Sequence, residues 1–141
     1  FCDIVELIHD QNKNVTVLLG GWRRQYIIRR LSDKNIKFVY KKLPSFETLN
    51  KMYNCLDLYI VGSRFEGGPQ SILECAITNT PIISTDVGIA SNIMSEESIF
   101  EIGKYEYEKV KPNTEYAFSS VQKYTIPHWF SEYRKMFKDL L

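Results

Sequence analysis

The amino-acid sequence predicts a doubly wound α/β domain built on a mostly parallel, Rossmann-like sheet, and three observations lead there. Short apolar runs alternate with helix-like segments of 10–14 residues, the pattern of βαβ units. The run Val15 to Leu19 is continuous rather than alternating, as in a strand buried on both faces. The chain has 141 residues, 44% hydrophobic and 25% charged, which is ordinary for one globular domain and unlike a disordered tail.

The elements follow in order. Residues 3–12 read as a helix through Ile4, Val5, Leu7 and Ile8. Val15 to Leu19 is an apolar run that stops at Gly20-Gly21, hence a buried strand. Residues 22–34 form an amphipathic helix, with Arg23, Arg30 and Lys34 opposite Ile27 and Leu31. Ile36 to Tyr40 is a second strand. Ser45 is a candidate N-cap for a helix reaching about Cys55, with Glu47 in its first turn. Asp57 to Val61 is a third strand, ended by Gly62-Ser63.

Pro69 suits the first position of a helix reaching about Asn79. Pro81 to Thr85 is a fourth strand, Ile89 to Met94 a short helical stretch, and Ser98 to Ile102 a last strand. Residues 103–112 lack periodicity and read as a loop, followed by a helix from Asn113 to Tyr124. After Ile126-Pro127 a long amphipathic helix carries Trp129, Phe130, Tyr133, Met136, Phe137 and Leu140 on one stripe.

Composition narrows the function classes. No apolar run is long enough to span a bilayer. Cys2, Cys55 and Cys75 are an odd, widely spaced set, which fits neither a disulfide framework nor a zinc site and suggests a reducing, cytoplasmic setting. His9 and His128 are isolated. The net charge of +1 hides an uneven layout: residues 22–51 hold nine basic and two acidic groups, residues 52–108 two basic and nine acidic. A solvated helix face explains the basic block better than a nucleic-acid surface does. Phe1 opens the chain with no initiator Met, so a fragment of a longer protein is expected.

In a doubly wound sheet, ligands bind outside the carboxyl ends of the strands. The residues there are Gly20-Gly21, Lys41-Lys42, Gly62 through Pro69, and Asp86 through Ala90. The informative stretch is Ser63-Arg64-Phe65-Glu66-Gly67-Gly68-Pro69-Gln70-Ser71-Ile72-Leu73-Glu74. Gly67 and Gly68 let a ligand approach the backbone. The helix opening at Pro69-Gln70-Ser71 offers free N–H groups and the positive end of its dipole to a phosphate or polar sugar. Glu66 can accept from sugar hydroxyls, or be a solvated loop acid. Glu74 lies beside an apolar helix face, where a carboxylate is costly without a donor; a ribose diol would serve, and a helix-edge glutamate is the alternative. Arg64 could face a diphosphate or be a surface arginine. Arg24, on the apolar side of its helix, could reach towards phosphates or snorkel into water.

Together these residues resemble the E-x7-E region of retaining GT-B glycosyltransferases of the large family 4 type. The likeness extends upstream through Asn54-Cys-Leu-Asp57-Leu-Tyr-Ile-Val61 and downstream through Ala76 to Gly88 (AITNTPIISTDVG), with the tail Trp129-Phe130-Ser131-Glu132-Tyr133 similar to the family's closing helices. The resemblance implies the carboxyl-terminal, donor-binding half of a GT-B fold, taking a nucleotide diphosphate sugar and using no metal or other cofactor. Glu66 would contact the donor sugar, the Gly67-Gly68 backbone the sugar or diphosphate, and Glu74 the ribose. Lys41 to Pro44 would lie along the base, and Gly20-Gly21 would border the phosphates. The acceptor, a glycan, lipid or other group, would be held by an amino-terminal domain, towards which residues 125–141 would pack. Peripheral association with the inner face of a membrane is compatible with that picture, and nucleic acid is not a partner.

Three departures weigh against full carry-over. The family's second glycine after Gly88 is Ile89 here, and its usual Pro-Glu is Ser91-Asn92. The phosphate-binding Arg and Lys of the family would precede Phe1. These leave a rival reading, a nucleotide or nucleotide-sugar binding module without turnover. A Rossmann oxidoreductase is disfavoured because Gly20-Gly21-Trp22-Arg23 is no G-x-G-x-x-G.

Overall fold

Strands and helices alternate as the apolar pattern requires. The computed structural model describes residues 1–106 and 109–139. The order is α1 (Cys2–Gln11), β1 (Thr16–Gly20), α2 (Gln25–Asp33), β2 (Lys37–Lys41), α3 (Phe46–Asn54), β3 (Tyr59–Val61), α4 (Gln70–Ile77), β4 (Ile82–Ser84) and α5 (Ala90–Ile93). A 3-10 turn (Glu96–Ser98), α6 (Thr114–Val121), a second 3-10 turn (Gln122–Tyr124) and α7 (Ile126–Lys138) complete it.

All strand pairing is parallel among the described residues, giving the α/β class that the sequence predicts. β1 pairs with β2 from Thr16–Lys37 to Gly20–Lys41, and β3 with β4 from Tyr59–Ile82 to Val61–Ser84. Hydrogen bonds thus group the strands as two pairs, and apolar packing joins them: Ile60 touches both the cluster around Val17, Leu19 and Leu31 and the cluster around Ile4, Ile83 and Phe100.

Successive residues of β3 and β4 face opposite sides, and both sides are covered. Val61 and Ile82 pack with Ile72, Cys75 and Ala76 of α4, while Ile83 packs with Ile4 of α1. That two-sided burial is why these strands read as continuous apolar runs. The three thiols are free; Cys2 and Cys75 are buried, and desolvation raises the pKa of both.

Local signals account for several boundaries. Ser45 caps α3 by accepting from the Thr48 N–H at 3.2 Å, and Asn113 caps α6 through the Tyr116 N–H at 3.0 Å. Other boundaries depart from the sequence reading. α2 starts at Gln25 rather than 22, because Gly21 (φ +93°) and Arg23 (φ +58°) are left-handed and incompatible with a helix. Arg23 is therefore off the helix face assigned to it. Arg30 and Lys34 are not simply solvated: Arg30 Nε meets Glu6 at 2.6 Å, its Nη2 meets Asp3, and Lys34 lies 3.7 Å from Glu6. The basic face of α2 docks on the acidic face of α1, and the Arg30 guanidinium holds the Asp3 carboxyl below its ordinary range.

The last predicted strand is corrected too. Residues 96–98 form a 3-10 turn, and only one bridge, Ile99 with Ser84, follows β4. The buried Ser98 hydroxyl explains the short pairing: it donates to the Lys111 carbonyl at 2.9 Å and accepts from the Asn113 N–H at 2.9 Å. These bonds tie the segment to the start of α6. α7 buries none of its described residues, leaving Ile126, Trp129, Phe130, Tyr133, Met136 and Phe137 exposed; Leu140 lies outside the described residues. No helix among the described residues is long and apolar enough to cross a membrane.

Ile72 is fully buried where α4 meets β3 and β4. Ile72→Ala should cost about 2–5 kcal/mol of folding stability, read from the shift of the urea unfolding midpoint. A cost well below about 1 kcal/mol would mean that α4 is not wedged into this core.

Candidate functional site

The crossover from β3 through α4 to β4 brings two loops to one edge. Thr85, just past β4, donates its N–H to the Val61 carbonyl at 3.0 Å and its hydroxyl to the Ser63 carbonyl at 2.6 Å. Gly88 then packs on the other loop at a left-handed φ of +55°; a Cβ there would lie 2.8 Å from Pro69 Cδ and 3.1 Å from Gly68 Cα. No side chain fits, so the closeness of the loops depends on this glycine. Between them lies an open cleft of about 390 Å³, lined by Arg64, Phe65, Glu66 and Gly67 on one side and Asp86, Val87 and Gly88 on the other.

Gly67 and Gly68 differ from Gly88. A Cβ on either would meet nothing within 4 Å, so no internal packing demands glycine there. The exposed Glu66 carboxylate accepts from Ser63 Oγ at 2.8 Å, which orients it from within its own loop. Arg64 is exposed beside it.

α4 rises from this loop. Pro69 occupies the N-cap, one place earlier than its predicted first helical position, and no side chain caps the helix. Gln70 and Ser71 are its first residues, and Ile72 turns its N–H back to the Pro69 carbonyl at 3.1 Å. Glu74 sits half-buried one turn on, and its Oε2 accepts from the Tyr53 hydroxyl at 2.7 Å. Burial, and then the bond to Glu74, pushes the Tyr53 phenol pKa up, so this group stays a donor. Ser71 reaches the Tyr59 phenol, whose pKa burial also raises.

The ends of β1 and β2 form a second group. The Gly21 N–H donates to the Lys41 carbonyl at 3.1 Å, and the Tyr40 hydroxyl to the Gly21 carbonyl at 2.9 Å. Arg24 is the N-cap of α2, not a residue inside it, and its Nε donates to the Gly20 carbonyl at 2.9 Å. That bond holds the guanidinium over Gly21 and within electrostatic reach of Tyr59. Lys41 is exposed, and Lys42 Nζ stands 5.7 Å above the Trp22 ring. Gly62 admits no Cβ because the Phe1 nitrogen would lie 2.9 Å away, so α1 starts at this edge as well.

The residues singled out from the sequence therefore fall into three places. Arg64, Glu66 and Gly67 share the cleft, with Gly68 and Pro69 against Gly88 behind it. Glu74, Gln70 and Ser71 lie along α4. Gly20, Gly21, Arg24, Lys41 and Lys42 cluster at β1 and β2, outside the cleft lining. Sequence reasoning left three contributors unassigned. Tyr53 is 21 positions from Glu74 and carried no local signal. Phe65, 91% exposed beside Glu66, has no polar group by which the sequence marks a contact. Gly88 closes the motif AITNTPIISTDVG, whose sequence does not show that a second loop packs against it. Among the described residues no three His, Cys, Asp or Glu side chains gather as a metal-ligand set.

The family model for glycosyl transferases group 1 matches residues 1–108. No curated protein sequence matches the chain. Among solved structures the fold is similar to the crystal structure of the GtfA/B complex, at a TM-score of 0.71 and 15% identity, covering 98% of this chain and 32% of that one. It is also similar to AviGT4, a glycosyltransferase involved in avilamycin A biosynthesis, at a TM-score of 0.62 and 11% identity, covering 99% of this chain and 46% of that one. The chain thus spans a third to a half of the length of these proteins.

The two kinds of glycine predict opposite responses. Gly88→Ala forces a left-handed alanine against Pro69 and should cost more than about 1 kcal/mol. Gly67→Ala enters open space and should leave the melting temperature within a few degrees of the parent. Thermal unfolding of both variants checks this; equal losses would refute the packing role of Gly88.

Proposed function

The chain belongs to the glycosyl transferases group 1 family, and from that membership we propose that it is the donor-binding half of a two-domain glycosyltransferase. Its substrate is a nucleotide diphosphate sugar, of hexose type, and the sugar passes to an acceptor with retention at the anomeric carbon. The observation that carries this reading is the cleft in which Glu66 and Gly67 face Gly88 beside the uncapped start of α4.

The chemistry follows from what those groups can do. As the bond between anomeric carbon and diphosphate lengthens, negative charge collects on the departing phosphate. The N–H groups opening α4, with the helix dipole behind them, stabilise that charge, and Arg64 and Arg24 add cations nearby. Glu66 accepts from the sugar hydroxyls, held in place by Ser63. Gly67 and Gly68 present bare backbone to the sugar and diphosphate. Glu74 accepts from the ribose diol, Lys41 to Pro44 run along the base, and Gly20-Gly21 border the phosphates. No metal is needed, because backbone amides and cations carry the phosphates.

The acceptor, a glycan or lipid, is held by a separate amino-terminal domain, towards which the exposed stripe of α7 turns. Work at a membrane surface on the cytoplasmic side suits such an acceptor. Ile89 and Ser91-Asn92 favour a second reading, a binding module that keeps donor recognition without turnover. A product assay on the chain joined to its acceptor domain separates the two.

Isothermal titration with nucleoside diphosphates and their sugar conjugates tests the assignment. Glu74→Gln should weaken binding of the nucleoside diphosphate itself by about ten- to a hundredfold. Glu66→Gln should remove only the gain contributed by the sugar. Unchanged nucleotide affinity in Glu74→Gln would sink the ribose role. Gly67→Ala, stable as above, should still lose donor affinity, because its methyl group points into the space the donor takes.

Chelation gives an independent check. Affinity should persist in excess chelator; collapse there, with recovery in magnesium or manganese, would overturn the metal-free reading.

A further inference from the structure

We propose that Tyr53 is a positioning residue for ribose recognition: its hydroxyl fixes one oxygen of Glu74 so that the other is presented to the ribose diol. The inference rests on the ribose role of Glu74 given above and goes beyond it by naming what aims that carboxylate.

Glu74 is a half-buried carboxylate, and among the described residues its single hydrogen-bonding side chain is Tyr53, at 2.7 Å on Oε2. No ion pair reaches it among those residues, so Oε1 keeps acceptor capacity. A carboxylate bearing one fixed donor cannot spin freely. Its second oxygen therefore points in one direction, which lowers the entropy lost when a diol binds.

The bond is backed by buried packing and a further hydrogen bond. Tyr53 is only 6% exposed, and its ring packs on Tyr59 with centroids 5.7 Å apart. The Tyr53 carbonyl accepts from Thr80 Oγ1 at 2.9 Å. Thr80 Oγ1 lies 2.8 Å from Thr78 Oγ1, which donates to the Glu74 carbonyl at 2.7 Å. The Thr80 bond ties the segment that follows α4 to the end of α3, while the phenol joins the side chains of Tyr53 and Glu74. With one proton on each threonine hydroxyl, the contact between Thr78 and Thr80 is a close approach and not a further bond when both donate to carbonyls. Tyr59 contributes a second contact to α4 through Ser71.

A purely structural role would be to satisfy the half-buried Glu74, and the test must separate it from positioning. The readout is the ratio of affinities for ribose and dideoxyribose forms of the same nucleoside diphosphate, measured by calorimetry with uridine, adenosine and guanosine diphosphates. The parent should prefer the ribose form. Tyr53→Phe removes one oxygen and adds no volume, so it should melt near the parent yet lose roughly tenfold of that preference. Adding Tyr53→Phe to Glu74→Gln should cost no further preference, because Tyr53 acts only through that carboxylate. Fluorotyrosine at position 53 keeps the shape and makes a stronger donor, so it should change the ratio without unfolding the chain.

If Tyr53→Phe keeps the parental ratio while Glu74→Gln abolishes it, the positioning role is wrong and the ribose assignment stands. An unchanged ratio in Glu74→Gln overturns the ribose assignment, and this inference with it. An unchanged ratio with fluorotyrosine likewise counts against positioning, whatever the stability of Tyr53→Phe.

Discussion

Parallel pairing of β3 with β4 is the constraint on which the rest of this structure depends. Parallel neighbours cannot be joined by a tight turn; the chain must leave the end of one strand, cross through a helix, and return to the start of the next. α4 is that crossover, and it is wedged by Ile72, Cys75 and Ala76 against Val61 and Ile82. The loop leaving β3 and the loop leaving β4 therefore lie on the same edge. Thr85, bonded to both Val61 and Ser63, closes the short gap between them.

Once the loops are neighbours, their chemistry is complementary. The 63–69 segment brings a carboxylate, an arginine and two glycines to the foot of an uncapped helix. The 86–90 loop brings Gly88, whose missing side chain allows the approach. Polar groups along α4 are then supported from behind: Tyr53 on Glu74, and Tyr59 on Ser71. Burial raises the pKa of both phenols, which keeps them neutral and keeps charge out of the core, and leaves Tyr53 a donor to Glu74. Arg24, held by the Gly20 carbonyl, is a cation at the β1 edge whose charge is felt at Tyr59.

The charge layout has a packing explanation. The basic block of the first half meets the acids of α1 through Arg30, Asp3 and Glu6, so part of it is spent on joining two helices. Surface pairs of this kind add little stability. Their service here is orientation: α1 is held beside α2 while Ile4 and Val5 face two different apolar clusters. At the other end of the chain, α7 presents an apolar stripe that no described part of the chain covers.

What the sequence determined by itself was the order of elements and the identity of the exposed edge. Apolar runs bounded by glycine marked β1 and β3, Ser45 marked the start of α3, and the segment from Arg64 to Glu74 marked the candidate site, because those signals act within a few residues. What tertiary structure decided were relations between residues far apart in the chain. Glu74 acquired its partner from Tyr53 across 21 positions, which no periodicity could report. Gly88 became necessary only when Pro69 and Gly68 came within 3.1 Å of where its side chain would stand. The last predicted strand gave way because the Ser98 hydroxyl binds Lys111 and Asn113, diverting its backbone after a single bridge. Local propensity acts through near neighbours along the chain, whereas hydrogen-bond partners and steric exclusions are set by which elements the fold brings together.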